Sequence, residues 1–300
     1  MKNLFYLLLT IPFFLASCSK EDMAQGEETV QVSFSAHIPQ GSETRSNTAN
    51  LTVNNVVCAV FENGSEIQNL RETISIVDDQ NIEFAPRLVK GRTYDVVFWA
   101  MKDANYDVTD MTAISRATTD ASTDEADYDA FTATTSVTVQ NSITNPIELT
   151  RPLAQLNMGI TQEEWNIVTN SFGQEPTTTT ITYQAKKQFN ALSGMSTGQV
   201  ENNIQTSSAF IEPLTVNGTD YMHLGMYYVL LAELEETTID LTYTIKDTND
   251  QDIRSGVQIP FVPVQRNYKT NIVGEFLTGT VKYDITIGND FNNEEHNENI

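Results

Sequence analysis

Between Thr29 and Ile38 every second residue is apolar: Val30, Val32, Phe34, Ala36 and Ile38. Successive side chains of an extended strand point to opposite faces, so such a stretch buries one face in a sheet; wound into a helix, the same residues would scatter around the axis. Runs of the same kind predict strands at 53–61, 73–77, 82–84, 93–101 and 135–140, and again at 178–185, 207–211, 223–232, 237–246, 257–262 and 281–287. The chain holds 38 threonines, a β-branched residue suited to a pleated, half-wet surface, and this also favours an all-β fold. The pattern restarts at Thr150-Arg151-Pro152, and 300 residues is a length for two domains. We therefore expect two antiparallel β-sandwiches in tandem, at 29–150 and 151–300, with a polar tail from about residue 288. Residues 102–129 are polar, acidic and aperiodic and read as a surface loop with one helical turn. Thr161-Gln162-Glu163-Glu164 has the spacing of a capping box opening a short helix that carries Trp165 as a core anchor.

At the N-terminus Lys2 precedes an apolar stretch from Leu4 to Ala16, too short at about 1.5 Å per residue to cross a hydrocarbon core of about 30 Å. Residues 1–17 read as a signal peptide. Leu15-Ala16-Ser17-Cys18 resembles the lipobox of bacterial lipoproteins, which implies acylation at Cys18, a palmitate-type anchor and an outer-membrane location; an ordinary secretory signal cut near Ala16 is the plainer reading. Ser19-Lys20-Glu21-Asp22 resembles a surface-export signal of Bacteroidota lipoproteins, or serves as part of a solvated tether at 18–28. The other cysteine, Cys58, lies in Val56-Val57-Cys58-Ala59-Val60-Phe61 and reads as a buried small hydrophobe.

With 17 Lys+Arg against 40 Asp+Glu, the formal charge of -23 repels phosphate backbones and anionic lipid headgroups. Nucleic acid is thus no expected partner, and a membrane is one only through the lipid anchor. Gly194-Met195-Ser196-Thr197-Gly198 spells a nucleophile elbow, but no helical stripe follows it and no histidine has the needed context, so no catalytic residue is assigned. His37, His223 and His296 have no metal-ligand spacing. The acidic stretches 120–129 and 247–252 lack the glycine and distal glutamate of an EF-hand loop and read as solvated charge. Neither a metal nor a cofactor is expected, and the protein is not expected to be an enzyme.

Several stretches resemble the fimbrillin-like proteins, relatives of the subunits of type V pili in Bacteroidota. These are Arg151-Pro152-Leu153-Ala154-Gln155-Leu156, Phe189-Asn190-Ala191-Leu192-Ser193-Gly194, the run from Arg266 to Gly274, the run Val281 to Ile287, and Val96-Val97-Phe98-Trp99-Ala100. The resemblance implies an uncharacterised subfamily with two transthyretin-like β-sandwich domains, export as a lipoprotein, and a place in adhesive fimbriae as a shaft, tip or anchor component. It also implies processing by a trypsin-like protease behind the first strand. Arg45, followed by Ser46, stands in the corresponding place, although a lone arginine in a loop is equally its plain description. Loss of strand 29–38 would leave an apolar groove for a strand from another pilus subunit or another copy, while a host or bacterial surface ligand would bind through the loops. The polar tail is a poor donor, which leaves three readings: the run Val281 to Ile287 donates, the subunit accepts without donating, or it never polymerises. The alternative to fimbrial assembly is a non-polymerising surface lipoprotein that captures glycans, stacking Trp165, Tyr106 or Tyr128 on sugar rings.

Overall fold

The computed structural model describes residues 27–38, 53–76, 82–117, 125–230 and 234–290. In the first half the strands are β1 (Thr29–Gln31), β2 (Ser33–His37), β3 (Asn55–Glu62), β4 (Ser65–Glu66), β5 (Glu72–Ser75), β6 (Ile82–Phe84), β7 (Arg87–Val89), β8 (Thr93–Met101), β9 (Tyr106–Asp107), β10 (Ile114–Arg116), β11 (Ala130–Thr138) and β12 (Thr144–Glu148). The second half adds β13 (Leu153–Ile160), helix α1 (Gln162–Asn166), β14 (Pro176–Asn190), β15 (Met195–Ser208), β16 (Leu214–Val216), β17 (Thr219–Leu230), β18 (Thr237–Asp247), β19 (Asp252–Val264), β20 (Tyr268–Glu275) and β21 (Lys282–Asp290).

The fold is all-β, two transthyretin-like sandwiches in tandem. One layer of the first has the order β11-β8-β3-β4, with β5 also on β3; the other has β12-β2-β6, and β1 on β7 carries the same register onward. The second sandwich stacks β16-β17-β13-β20-β21 against β19-β18-β14, with β15 on the other edge of β14. Pairing is antiparallel except at β2 with β12 and β13 with β20, which run parallel.

Why Val56 to Phe61 and Val96 to Met101 are apolar without alternation is clear from their place. Central strands covered on both sides need no polar face. Val56, Cys58, Val60, Val96, Phe98 and Ala100 face β2 in the first core, while Val57, Ala59, Phe61, Val97, Trp99 and Met101 point the other way into a core shared with the second half. There Trp99 meets Tyr106 at 5.2 Å and Phe189 at 5.7 Å between ring centroids.

That shared core overturns the surface-loop reading of 102–129. β9 and β10 extend the β14 sheet, with Ile114 opposite Phe189, and a 3-10 turn spans Glu125–Tyr128. The last acidic residues of this stretch are matched by cations: Glu125 receives both terminal guanidinium nitrogens of Arg116 at 3.1 and 2.7 Å, and Asp127 pairs with Lys102. Asp129 and Arg151, both fully buried, form two bonds of 2.8 Å, and the Arg151 guanidinium lies over the Phe131 ring.

The capping box is half present. Thr161 Oγ1 accepts from the Glu164 N–H at 3.2 Å, but the Glu164 carboxylate turns away from the helix start and into the protein. It accepts the N–H groups of Phe276, Leu277 and Thr278, each at 2.7 Å, and the Thr278 hydroxyl at 3.1 Å. These amides follow β20, those of Phe276 and Leu277 in buried residues and that of Thr278 in a partly buried one, so without an acceptor at least the first two would be desolvated donors. Trp165 packs half-buried on the second core, as expected of an anchor.

Candidate functional site

The first strand forms the centre of its layer. β2 lies between β6 and β12, with Phe34 opposite Phe84 on one side and Asn145 on the other. Its backbone is taken up beyond the ladder too: Val32 N–H donates to Pro86 O at 3.1 Å, Ser33 N–H to Ile143 O at 2.9 Å, and Leu149 N–H to His37 O at 3.0 Å. The alternation read from the sequence is realised: Val32, Phe34 and Ala36 are fully buried, whereas His37 ends the strand exposed. Phe34, Phe84 and Phe98 form a ring of three with centroids 6.1 to 6.2 Å apart.

Without β1 and β2 this layer loses its middle. β6 and β12 have no other strand partner among the described residues, and Ile82, Phe84, Leu88, Phe98 and Ile147 would line an open apolar slot. Burying side chains such as Val32 and Phe34 is worth about 1.5–3 kcal/mol each, so an empty slot is strongly disfavoured against one filled by an extended segment of matching alternation. The start of the strand is further tied by ion pairs of Lys90 with Glu28 and of Arg92 with Glu27.

Sequence reasoning found this strand and, at 82–84, its neighbour β6, but not β12. β12 escaped it because Thr144-Asn145-Pro146-Ile147-Glu148 has one buried apolar residue and a proline. The single usable signal was the buried pair Ile147 and Leu149, spaced by two. Cys18, Arg45 and Ser46 lie outside the described residues.

Other chemistry considered from the sequence is accounted for by structure. Cys58 is fully buried in the first core, and burial, aided by Glu72, pushes its thiol pKa up, away from reactivity. Ser196 is buried in β15 opposite Phe189, in a hairpin rather than a strand-to-helix turn. His223 lies in β17, its ring stacked on Phe210 at 4.2 Å. The Asp247 carboxylate accepts the N–H groups of Gln251 and Asn249, which holds it below the usual carboxylate range. Among the described residues no group of His, Cys, Asp and Glu is placed to hold a metal ion. Tyr106 and Tyr128 are buried in the shared core, Tyr106 donating to the Tyr128 carbonyl, and neither presents a ring to solvent.

Fold and site together define a tandem β-sandwich protein whose first sandwich is completed by its own opening strand. The profile of a family of unknown function, DUF6562, matches residues 24–300, and the chain belongs to that family. No curated protein matches it. Among solved structures it is similar to proteins of Bacteroides thetaiotaomicron assigned provisionally to polysaccharide binding (DUF1812). That match has 12% identity over 90% of this chain and 100% of the other, with a TM-score of 0.51. A protein of the same organism assigned provisionally as an adhesin is 10% identical over 89% and 97%, with a TM-score of 0.50. The tip fimbrial protein Mfa3 from Porphyromonas gingivalis, with a C-terminal truncation, is 13% identical over 87% and 99%, with a TM-score of 0.47. The all-β fold that the resemblance implies agrees with the two neighbours whose TM-scores reach 0.50.

Proposed function

We propose that this chain is a non-enzymatic cell-surface protein of adhesion or fimbrial assembly, acylated at Cys18, in which β1 and β2 are a removable plug. The observation that carries this reading is the position of β2, fully buried along one face and paired on both edges. Cleavage between Arg45 and Ser46 would cut the connection from β2 to β3 and leave the plug held by noncovalent contacts alone. A segment from another subunit then restores the ladder hydrogen bonds and refills the side-chain pockets.

β21 is suited to donate. Among the described residues it pairs only with β20, and Val281, just before it, alternates with Tyr283 and Ile285 within it, all three only partly buried. Placed in the slot, they would meet the same pockets that Val32, Phe34 and Ala36 fill now. The adhesin assignment of a structural neighbour is consistent with this role; of the rings that glycan capture would use, Tyr106 and Tyr128 are buried, which leaves Trp165, half-buried on the second core.

Trypsin treatment of the purified, lipid-free protein tests the proposal. The expected product begins at Ser46 and forms multimers that resist SDS on a gel run without boiling. A chain cut completely after Arg45 that stays monomeric would overturn strand exchange. Loss of palmitate labelling in Cys18→Ala checks the anchor.

A further inference from the structure

Among the strands of the second sandwich, β15 has an unusual free edge. Among the described residues it pairs with β14 only, and from Val200 to Ser208 it runs in unbroken register. Exposed edges are ordinarily blunted by bulges, prolines, lysines or brevity. β19 has register shifts along with Pro260 and Pro263, β21 carries Lys282, and β16 and β9 have three and two residues. The stretch from Val200 to Ser208 has none of these devices.

Its exposed side chains are arranged symmetrically. Val200, Asn202 and Ile204 share one face, opposite Lys186, Gln184 and Thr182 of β14, and Val200 and Ile204 are 61% and 68% exposed. Two aliphatic residues at equal distance on either side of Asn202 make a pattern that reads the same when turned about a two-fold axis.

We propose that β15 pairs antiparallel with β15 of a second copy of this chain, with the two-fold axis at Asn202. Val200 then faces Ile204 of the partner and Ile204 faces its Val200, so both aliphatic side chains leave water twice over. Asn202 meets its own counterpart, and Glu201, already paired with Lys187 at 3.2 Å, faces an asparagine rather than a like charge. An isologous contact of this kind closes on itself, joining the two β14 sheets into one. A foreign strand would satisfy the backbone equally well, but would not require the symmetry about Asn202. The contact uses neither β2 nor the Arg45 loop, so it stands apart from strand exchange.

The test is cysteine cross-linking of the full chain under mild oxidation. Directly opposite residues of an antiparallel pair have Cα atoms about 4.5–5.5 Å apart, within disulfide reach. Asn202→Cys should give a linked dimer on a non-reducing gel. Thr206→Cys, on the same face but on the order of 27 Å from its counterpart in this register, should give none. Linking by both or by neither overturns the proposal. Val200→Lys in the Asn202→Cys chain should lower the linked fraction roughly tenfold, and adding Ile204→Glu should restore it, because each lysine then faces a glutamate of the other copy. Failure of that restoration, in variants whose melting temperature is unchanged, overturns the register.

Discussion

Glu164 occupies the position a capping box requires, and its spacing from Thr161 was legible in the sequence. What could not be read there was the demand from residues 276–278, more than a hundred positions away, whose backbone amides take the carboxylate instead. Glu164→Ala strips the acceptor from three backbone donors at once. At about 1–3 kcal/mol for each donor left unsatisfied, the variant should lose roughly 3 kcal/mol or more of stability, as measured by urea unfolding at neutral pH. An unchanged midpoint would mean that water reaches these amides. Cys58 shows the opposite case: its apolar neighbours in sequence already announced burial, because a central strand covered on both faces is apolar throughout.

At the scale of elements, the opening strand and the closing strand behave differently. β2 is locked by Phe34, so Phe34→Ala should cost about 3–5 kcal/mol and raise binding of an apolar dye to the native protein. A cost under about 1 kcal/mol would show that the slot closes up without its plug. β21 instead rests on a close backbone approach: a Cβ at Gly274 would lie 2.1 Å from Lys282 O and 2.7 Å from Tyr283 Cα. Gly274→Ala should therefore strip amide-exchange protection from 282–290 while β2 and β8 keep theirs. Equal loss in all three would show that β21 is bound into the global unfolding unit. The alternation that runs through β1 and β2, that of β18 and the apolar run of β8 were visible in advance. β9, β10 and β12 were not, since strands of two to five polar-rich residues carry too few side chains to show a period.

In the molecule as a whole, burial drives the phenol pKa values of Tyr106, Tyr183, Tyr227 and Tyr243 above the ordinary value. In the unfolded chain phenols titrate near 10. The stability these side chains support is whole below about pH 10 and is lost as the pH rises from there towards their folded values. Base titration should thus release part of the phenolate absorbance in one cooperative step that coincides with loss of the far-ultraviolet β signal. Smooth titration with the fold retained would contradict this burial. Apolar alternation and threonine richness were enough to establish an all-β chain in two halves and the buried face of its longer strands, because alternation records which side of a strand leaves water. Only the tertiary structure decided that β2 lies parallel to β12, that Tyr106, Met111, Ile114 and Tyr128 build a shared core, and that Arg116, Lys102 and Arg151 neutralise Glu125, Asp127 and Asp129. Backbone hydrogen bonds are alike for every strand, so partner and direction follow from how distant surfaces fit together, and no local pattern encodes that.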